Sequence, residues 1–184
     1  MRVVAGSARG RTLVAPSGST TRPTGDKVRQ AMFNSLESFD LIDGARLLDL
    51  FAGSGALGIE GLSRGAAHCT FVEPDRSARV CLEKNLTTVA GSLGKVSTMV
   101  VTSSAERFLD ANRERFDVAL LDPPYAFEGW DELLDRLPSD VAVIESNRPV
   151  TVRAGWEILR EKSYGGTVVV FAGRKHPNAD PTPE

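Results

Sequence analysis

The chain has 184 residues, of which 41% are hydrophobic, and it carries a formal net charge of −2 at pH 7. On folding, a chain of this length removes about 70% of its unfolded surface from water, which excludes a miniprotein that depends on disulfide bonds or a structural metal. The longest apolar runs are about five residues, as in residues 168–172. A membrane-spanning helix is therefore excluded as well, and we expect a cytoplasmic protein.

Positive charge is concentrated at the amino terminus. Residues 1–30 carry a net charge of +5, against −7 for the remainder of the chain. The six basic residues of this segment are Arg2, Arg9, Arg11, Arg22, Lys27 and Arg29. Basic side chains displace condensed counterions from a phosphate backbone, so the segment could hold an anionic partner such as nucleic acid. A solvated basic edge explains the same charge pattern equally well.

The first predicted element is a short β-hairpin. Apolar residues 3–5 and 13–15 flank a glycine-containing turn at 6–10, which is typical of two paired strands. A hairpin this short is marginally stable alone, so we expect it to dock on the rest of the protein or on a partner. A helix is predicted next over residues 24–38, where apolar residues recur at helical spacing.

From residue 46 onward, short β-like segments alternate with helical patterns. The predicted strands cover residues 47–51, 69–73, 96–102, 116–121 and 141–145. The predicted helices cover residues 56–63, 75–89, 105–112 and 130–137. This alternation is typical of right-handed βαβ units, and it predicts an α/β fold with a parallel sheet covered by helices on both faces.

The carboxyl-terminal part of the chain departs from this alternation. Residues 156–163 and 167–172 are joined by a short glycine-containing turn without a helix, which predicts an antiparallel hairpin at one edge of the sheet. The proline-rich, polar residues 176–184 are expected to form a disordered tail. We therefore divide the chain into a basic hairpin at residues 1–20, a main domain at 21–175, and this tail.

The first predicted parallel strand leads into a glycine-rich turn. Gly53, Gly55 and Gly58 satisfy the pattern GxGxxG, which lets the backbone pass close to a nucleotide ligand. Glu73 ends the second strand, where its carboxylate could bind both hydroxyls of a ribose. A dinucleotide and S-adenosylmethionine both fit these features. Asp49, before the turn, favours S-adenosylmethionine because a carboxylate attracts the methionine ammonium group and repels a pyrophosphate.

Three further residues are candidates for cofactor contacts. Ser54 lies inside the glycine-rich turn. Ser104 and Ala105 follow the third predicted strand, where backbone amides could bind the edge of an adenine. Ser104 also suits the N-cap position of the next helix, and this structural role stays open as an alternative.

A proline-rich tetrapeptide, Asp122, Pro123, Pro124 and Tyr125, directly follows the fourth predicted strand. The first and fourth strands flank the topological switch point of such a sheet, so the motif should lie beside the cofactor crevice. The prolines remove two backbone donors and leave the Asp122 carboxylate and the Pro123 carbonyl as acceptors for an amino group. Tyr125 would stack on the face of a nucleobase. The motif predicts methyl transfer to an exocyclic amine, driven by positioning and without a metal.

Taken together, these motifs resemble those of the RsmD family of class I methyltransferases, which methylate guanine N2 in 16S ribosomal RNA. The resemblance covers nearly the whole chain. The segments that carry it are residues 5–6, 9–11, 22–24, 28–29, 33–34, 49–58, 63–66, 122–125 and 162–165. It implies a Rossmann-like, mostly parallel seven-stranded sheet with an antiparallel edge hairpin at the carboxyl end.

The resemblance also implies roles for individual residues. S-adenosylmethionine would be bound by the glycine-rich turn together with Asp49 and Glu73, and residues 122–125 would hold the target amine. The candidate RNA contacts are Arg9, Arg11, Arg22 and Arg29. The implied partner is 16S rRNA in the small ribosomal subunit or a late assembly intermediate, and we expect a monomer without membrane association.

Other functions fit part of the sequence. A DNA adenine-N6 methyltransferase would use the same tetrapeptide, but the chain leaves few residues outside the core for a separate major-groove reader. A protein glutamine methyltransferase would not explain the basic hairpin. A noncatalytic rRNA-binding assembly factor is the alternative from a different class, and the intact Asp122 and glycine-rich turn argue against it.

Overall fold

The computed structural model describes residues 1–16 and 25–175, which form a seven-stranded sheet flanked by helices. The helices are α1 (Asp26–Ser38), α2 (Ala56–Ser63), α3 (Arg76–Leu93), α4 (Ala105–Ala111) and α5 (Trp130–Arg136). The strands are β1 (Arg46–Asp49), β2 (His68–Val72), β3 (Ser97–Val101), β4 (Phe116–Leu121), β5 (Ser139–Ser146), β6 (Trp156–Tyr164) and β7 (Thr167–Arg174). Within the described residues, no helix is long and apolar enough to cross a membrane.

The strands are arranged in the order β3-β2-β1-β4-β5-β7-β6. The first five in this order run parallel, whereas β7 is antiparallel to both of its neighbours. The predicted α/β sheet with an antiparallel carboxyl-terminal hairpin is therefore confirmed. Asp49, the last residue of β1, pairs with Phe71 on β2 and with Leu120 on β4. The carboxyl ends of these three strands consequently lie side by side.

Side chains of the parallel strands alternate between two hydrophobic layers. On β1, Leu47 packs into the layer that contains α1, α2 and α3, and Leu48 packs into the layer that contains α4 and α5. Successive residues of a strand point to opposite faces, so a strand covered on both sides must be apolar at consecutive positions. This explains why these segments read as continuous hydrophobic runs in the sequence.

The observed element bounds are close to the predicted ones. Helix α2 and strand β4 have the predicted bounds, and the other elements differ by a few residues at their ends. Helix α3 extends to Leu93 and ends at Gly94, whose φ of +69° suits glycine. Asp75, predicted as the first residue of this helix, is instead its N-cap, and its carboxylate accepts the N–H of Ala78 at 2.8 Å.

Residues 1–16 fold back onto the layer that contains α1, α2 and α3. The two arms of the predicted hairpin pair through one antiparallel bridge, between Arg2 and Thr12. The buried apolar side chains of this segment are Val3, Ala8 and Leu13. The hairpin is thus shorter than a regular ladder. Of the two predicted alternatives, docking on the rest of the protein or on a partner, the structure shows the first.

A buried carboxylate ties this segment to α2. Glu60 accepts the backbone N–H groups of Val4 at 2.8 Å and Ala5 at 3.0 Å. The guanidinium groups of Arg64, at 2.8 Å, and Arg29, at 3.6 Å, neutralise it. Removing one partner of a buried ion pair typically costs about 3–5 kcal/mol because the other charge is left uncompensated. The cluster therefore fixes the position of the first residues of the chain.

The turn of the amino-terminal segment packs against the last residue of α2. Ser63 accepts the N–H of Ser7 through its carbonyl at 2.7 Å and that of Ala8 through its hydroxyl at 2.9 Å. A Cβ atom on Gly6, whose φ is +79°, would lie 1.7 Å from the Ser63 carbonyl oxygen. Because α2 starts beside the carboxyl end of β1 and runs back, this turn lies at the amino-terminal edge of the sheet.

Candidate active site

A cleft of about 690 Å³ lies beyond the carboxyl ends of β1 and β4. Ten of the eleven residues predicted to bind cofactor or hold the target line it: Asp49, Gly53, Ser54, Glu73, Ser104, Ala105, Asp122, Pro123, Pro124 and Tyr125. They come together because the carboxyl ends of parallel strands open on the same edge of the sheet. Gly55 is the predicted residue that does not line the cleft.

The glycine-rich turn joins β1 to α2. Gly53 and Gly55 have φ values of +53° and +82°, a backbone conformation that side chains disfavour. The N–H of Gly53 donates to Glu73 at 2.7 Å, which holds the turn against β2. A Cβ atom on Gly55 would lie 2.3 Å from Cδ1 of Leu82. Gly55 therefore permits the turn and the close packing of α3, and it does not form the cleft surface.

Asp49 is 1% exposed and borders the cleft from the end of β1. Its carboxylate accepts the N–H of Gly58 at 2.9 Å in the first turn of α2. The pKa of Asp49 is raised to about 7, chiefly by burial and to a lesser extent by the charges of Asp122 and Glu73, against the opposing effect of the Gly58 hydrogen bond. The carboxyl group is thus poised to lose its proton when a cation binds beside it.

The Glu73 carboxylate sits between the glycine-rich turn and α3. It accepts the N–H of Gly53 at 2.7 Å and that of Asp75 at 2.8 Å, one on each oxygen. A carboxylate offers about four lone-pair sites, so two remain for hydroxyl groups of a ligand. The backbone contacts fix the orientation of these remaining acceptors.

Ser104 and Ala105 form the wall of the cleft after β3. Ser104 is the N-cap of α4, and its hydroxyl accepts the N–H of Arg107 at 3.4 Å. Ala105 is buried, and both residues line the cleft. Ser104 therefore has the N-cap role that the sequence offered as an alternative. Because α4 begins at the cleft, this role is compatible with a position in the cleft wall.

The tetrapeptide after β4 forms another part of the cleft wall. Pro123 is buried and Asp122 half-buried, whereas Tyr125 is 45% exposed. The carbonyl of Pro124 accepts the N–H of Phe127 at 2.8 Å, which closes a turn after the motif. The tetrapeptide thus offers an exposed aromatic ring and a carboxylate to the same space.

Two cleft-lining aromatic residues were not among the sequence-based candidates. Phe51 and Phe127 both line the cleft, and their ring centroids are 5.6 Å apart in an edge-to-face contact. Trp130 is buried behind Phe127 with ring centroids 5.0 Å apart, and it is not a lining residue. The available signal was position, because Phe51 and Phe127 each lie two residues after a predicted site residue, Asp49 and Tyr125 respectively.

The charge of the cleft is strongly negative. Its carboxylates belong to Asp49, Glu73, Asp75, Glu106 and Asp122. Among the described residues that line it, there is no lysine or arginine side chain. Such a site attracts a cationic ligand and repels a pyrophosphate, so the donor set fits S-adenosylmethionine, with its sulfonium and ammonium groups, better than a dinucleotide.

The four predicted RNA contacts have different environments. Arg9 and Arg11 are exposed on the amino-terminal segment, and Nε of Arg11 donates to the Ser92 hydroxyl at 3.2 Å. Arg22 lies outside the described residues, as does the predicted tail at 176–184. Arg29 is fully buried beside Glu60 and donates to Asp26 at 2.8 Å. The prediction that Arg29 contacts RNA is therefore corrected, because its charge serves an internal ion-pair cluster.

The sheet order, with β7 inserted antiparallel between β5 and β6, and the cleft at the β1–β4 switch point define the α/β fold of class I methyltransferases. The sequence profile of the family described as Conserved hypothetical protein 95 matches residues 1–173. The chain belongs to this family. Proteins named as methyltransferases are similar to it over most of its length. Methyltransferase homology implies S-adenosylmethionine as the methyl donor.

Several known proteins are similar over most of the chain. The Bacillus subtilis (strain 168) protein named "Putative rRNA methyltransferase YlbH" is 48% identical over 172 residues, 92% of this chain and 90% of that protein. Ribosomal RNA small subunit methyltransferase D of Escherichia coli (strain K12) is 38% identical over 179 residues, 90% of this chain and 85% of that protein. The solved structure "Putative methyltransferase yhhF from Escherichia coli" is 38% identical with a TM-score of 0.80, covering 95% of this chain and 98% of that chain.

Proposed function

We propose that this protein transfers a methyl group from S-adenosylmethionine to the exocyclic N2 amino group of a guanine in 16S ribosomal RNA. The observation that carries the proposal is that an acid-lined glycine-rich turn and residues 122–125 border one cleft. The first element suits a cationic methyl donor, and the second suits a flat amine. The name of the Escherichia coli relative, a ribosomal RNA small subunit methyltransferase, supports the choice of substrate.

Each part of the cofactor has a matching group in the cleft. Asp49 would bind the ammonium group, the free lone pairs of Glu73 would accept the ribose hydroxyls, and the backbone at Ser104 and Ala105 would contact the adenine. When bound, S-adenosylmethionine supplies a methyl group on a positively charged sulfur, which makes that methyl group electrophilic. The surrounding carboxylates stabilise a cation there.

The tetrapeptide would hold the target amine. An exocyclic amino group of a nucleobase is a weak nucleophile because its lone pair is delocalised into the ring. The Asp122 carboxylate and the Pro123 carbonyl accept its two N–H groups, which orients the lone pair toward the methyl donor. The exposed ring of Tyr125 stacks on the base, an interaction worth roughly 1–3 kcal/mol for bases on aromatic side chains.

Residues of the cleft also accept the proton that the amine releases and limit the access of water. The amine must lose a proton when it gains the methyl group, and Asp122 receives this proton directly or through water. The rings of Phe51 and Phe127 line the same space and limit the access of water to it. Excluding water strengthens the electrostatic interactions between the carboxylates and a bound cation.

The partner is 16S rRNA in the small ribosomal subunit or in a late assembly intermediate. Arg9 and Arg11 are exposed and contribute RNA contacts. Because these residues belong to a segment that is anchored on α2 through Glu60, they are held in a fixed position relative to the cleft.

The direct test is to identify the product. Small subunits from a strain that lacks the enzyme are incubated with the protein and labelled S-adenosylmethionine, and the nucleosides of their 16S rRNA are analysed by mass spectrometry. We expect N2-methylguanosine, and at least about 100-fold slower formation of it with the Asp122→Asn protein. Label on adenine, on DNA supplied in parallel, or on no nucleic acid would contradict the proposal.

A further inference from the structure

A second hollow, of about 610 Å³, lies at the amino-terminal edge of the sheet, away from the active-site cleft. Its wall includes Gly6 and Ser7 from the amino-terminal turn, Arg64 at the end of α2, and Lys95 before β3. Exposed Arg9 and Arg11 continue the same turn. We infer that this amino-edge surface, defined by Arg9, Arg11, Arg64 and Lys95, binds the RNA backbone at a point remote from the target guanine. The inference rests on the proposed function and deepens it.

Helix α3 sets the distance between the two sites. Ser77, in its first turn, lines the active-site cleft. Ser92, fifteen residues later in the same helix, accepts the hydrogen bond from Arg11. An α-helix rises 1.5 Å per residue, so the amino-edge surface lies roughly 22 Å from the cleft along α3. An RNA that contacts both sites must extend over at least this distance.

The amino-edge surface carries excess positive charge. Residues 1–16 contain three arginines and no acidic residue. In the described part of the chain, Arg9 and Lys95 form no ion pair. The hollow is also bordered by two acidic residues, Glu37 and Asp43, of which Glu37 is paired with Arg64 at 3.0 Å. Because Arg64 is already paired with Glu60 and Glu37, the excess positive charge of this surface comes from Arg9, Arg11 and Lys95, with Asp43 as the remaining acid at the hollow. This excess favours a polyanion such as a phosphate backbone.

Arg64 provides an observation that is independent of charge. Its guanidinium pairs with Glu60 through Nε and with Glu37 through Nη1. Its Nη2 is buried and has no acceptor among the described residues. A buried donor without an acceptor is costly to the folded protein. A phosphate or ribose oxygen seated in the hollow, which Arg64 lines, would supply the missing acceptor after a small adjustment.

The amino-edge surface is also preorganised. The turn that carries Arg9 is fixed by the hydrogen bonds of Ser63, and the preceding residues are fixed by Glu60. Little conformational entropy is then lost when RNA binds, so these contacts contribute to affinity at low cost. The substrate class that follows is a long or folded RNA, because a short oligonucleotide in the cleft cannot reach the second site.

The test compares two charge reversals, Lys95→Glu and Arg113→Glu. Arg113 is exposed between α4 and β4, at the same edge of the sheet but beside the other helical layer, and its side chain donates to the carbonyls of Asp110 and Asn112. Both proteins are assayed for methylation of small subunits that lack the modification, and the dissociation constant for these subunits is measured across a salt series. S-adenosylmethionine binding reports that each protein is folded.

For Lys95→Glu we expect KM for the subunits to rise about fivefold to tenfold, with kcat and S-adenosylmethionine affinity unchanged. The slope of log Kd against log salt should fall by about one, the value for one phosphate contact. Equal behaviour of the two variants would overturn the inference, and a weaker affinity with an unchanged salt slope would assign the surface to a protein partner instead. If the wild-type protein methylates no guanine, the proposed function is wrong. The dissociation constants and their salt dependence still show whether the amino-edge surface binds RNA.

Discussion

The buried carboxyl group of Asp49 accepts the backbone N–H of Gly58 at 2.9 Å, so a single acid joins the end of β1 to the first turn of α2. Burial is the largest cause that raises its pKa to about 7. Between pH 4 and 7 the folded protein therefore binds a proton that the unfolded chain has released. Stability falls as pH rises through this window, because ionising the buried group becomes an increasing cost to the folded state.

Replacing Asp49 with asparagine should stabilise the protein without ligand. The asparagine oxygen can still accept the Gly58 N–H, and the cost of a buried charge is removed. We expect the free energy of unfolding at pH 8 to increase by about 2 kcal/mol, with a much smaller change at pH 4.5, where wild-type Asp49 is protonated. Urea unfolding at the two pH values measures this difference. The exposed Asp43→Asn protein is the control, and an equal gain in both variants would contradict the explanation.

The same group should make cofactor binding depend on pH. A cationic ammonium group binds the ionised form of Asp49, so the dissociation constant should fall as pH rises from 5.5 to 7, by up to tenfold per unit. The range stops at 7 because an α-amino group itself loses its proton near pH 8. Isothermal titration calorimetry gives these constants. In Asp49→Asn the affinity should be lower and nearly independent of pH, and a slope equal to that of the wild type would refute the assignment.

Asp122→Asn should separate catalysis from cofactor binding. The amide keeps one acceptor but cannot take up a proton, so we expect kcat to fall at least about 100-fold. Affinity for S-adenosylmethionine should change by less than about fivefold, because Asp122 is one of several carboxylates at the cleft. Removal of its charge should also move the pH midpoint of cofactor binding to a lower value, since Asp122 raises the pKa of Asp49. Equal losses of rate and affinity would contradict the division of roles.

Two glycines of the amino-terminal segment form a matched pair for testing how it docks. Gly6 and Gly10 have similar φ values, +79° and +82°. A Cβ atom on Gly6 would collide with the backbone of Ser63, whereas nothing lies within 4 Å of one on Gly10. Gly10→Ala should therefore cost only the left-handed backbone strain, about 1–2 kcal/mol. Gly6→Ala should cost at least about 3 kcal/mol, because the turn must leave α2. Denaturant unfolding of both proteins tests this, and similar losses would refute it.

The sequence predicted the cleft well because its residues belong to local motifs at strand ends. Once β1 and β4 are recognised as parallel neighbours, the glycine-rich turn and residues 122–125 must open on the same edge. Phe51 and Phe127 were missed because an isolated aromatic residue has no pattern that distinguishes a cleft wall from a core position. Their contact depends on how two loops pack, and spacing does not encode this.

Contacts between residues that are distant in sequence explain the remaining differences between the predicted and the observed positions of basic residues. Arg29 belongs to a basic segment. Nothing near it in sequence indicates that its guanidinium group is buried and paired with Glu60 on another helix. The position of the turn beside Arg9 also depends on residues distant in sequence, because contacts with Ser63 hold it at the amino-terminal edge of the sheet. Charge patterns predicted that this segment has a partner. They did not distinguish an internal partner from an external one.

Anchoring of the amino-terminal segment imposes an order on folding during synthesis. Residues 1–16 complete their contacts only with helices that are made after them: the amide of Val4 donates to Glu60, and the amide of Val14 donates to the side chain of Asn85. At about 5–20 residues per second, translation needs several seconds to supply these helices. During this interval the amino-terminal segment, which carries Arg9 and Arg11, is not yet docked on α2. It is then near the ribosome that synthesises it, whose surface is largely RNA.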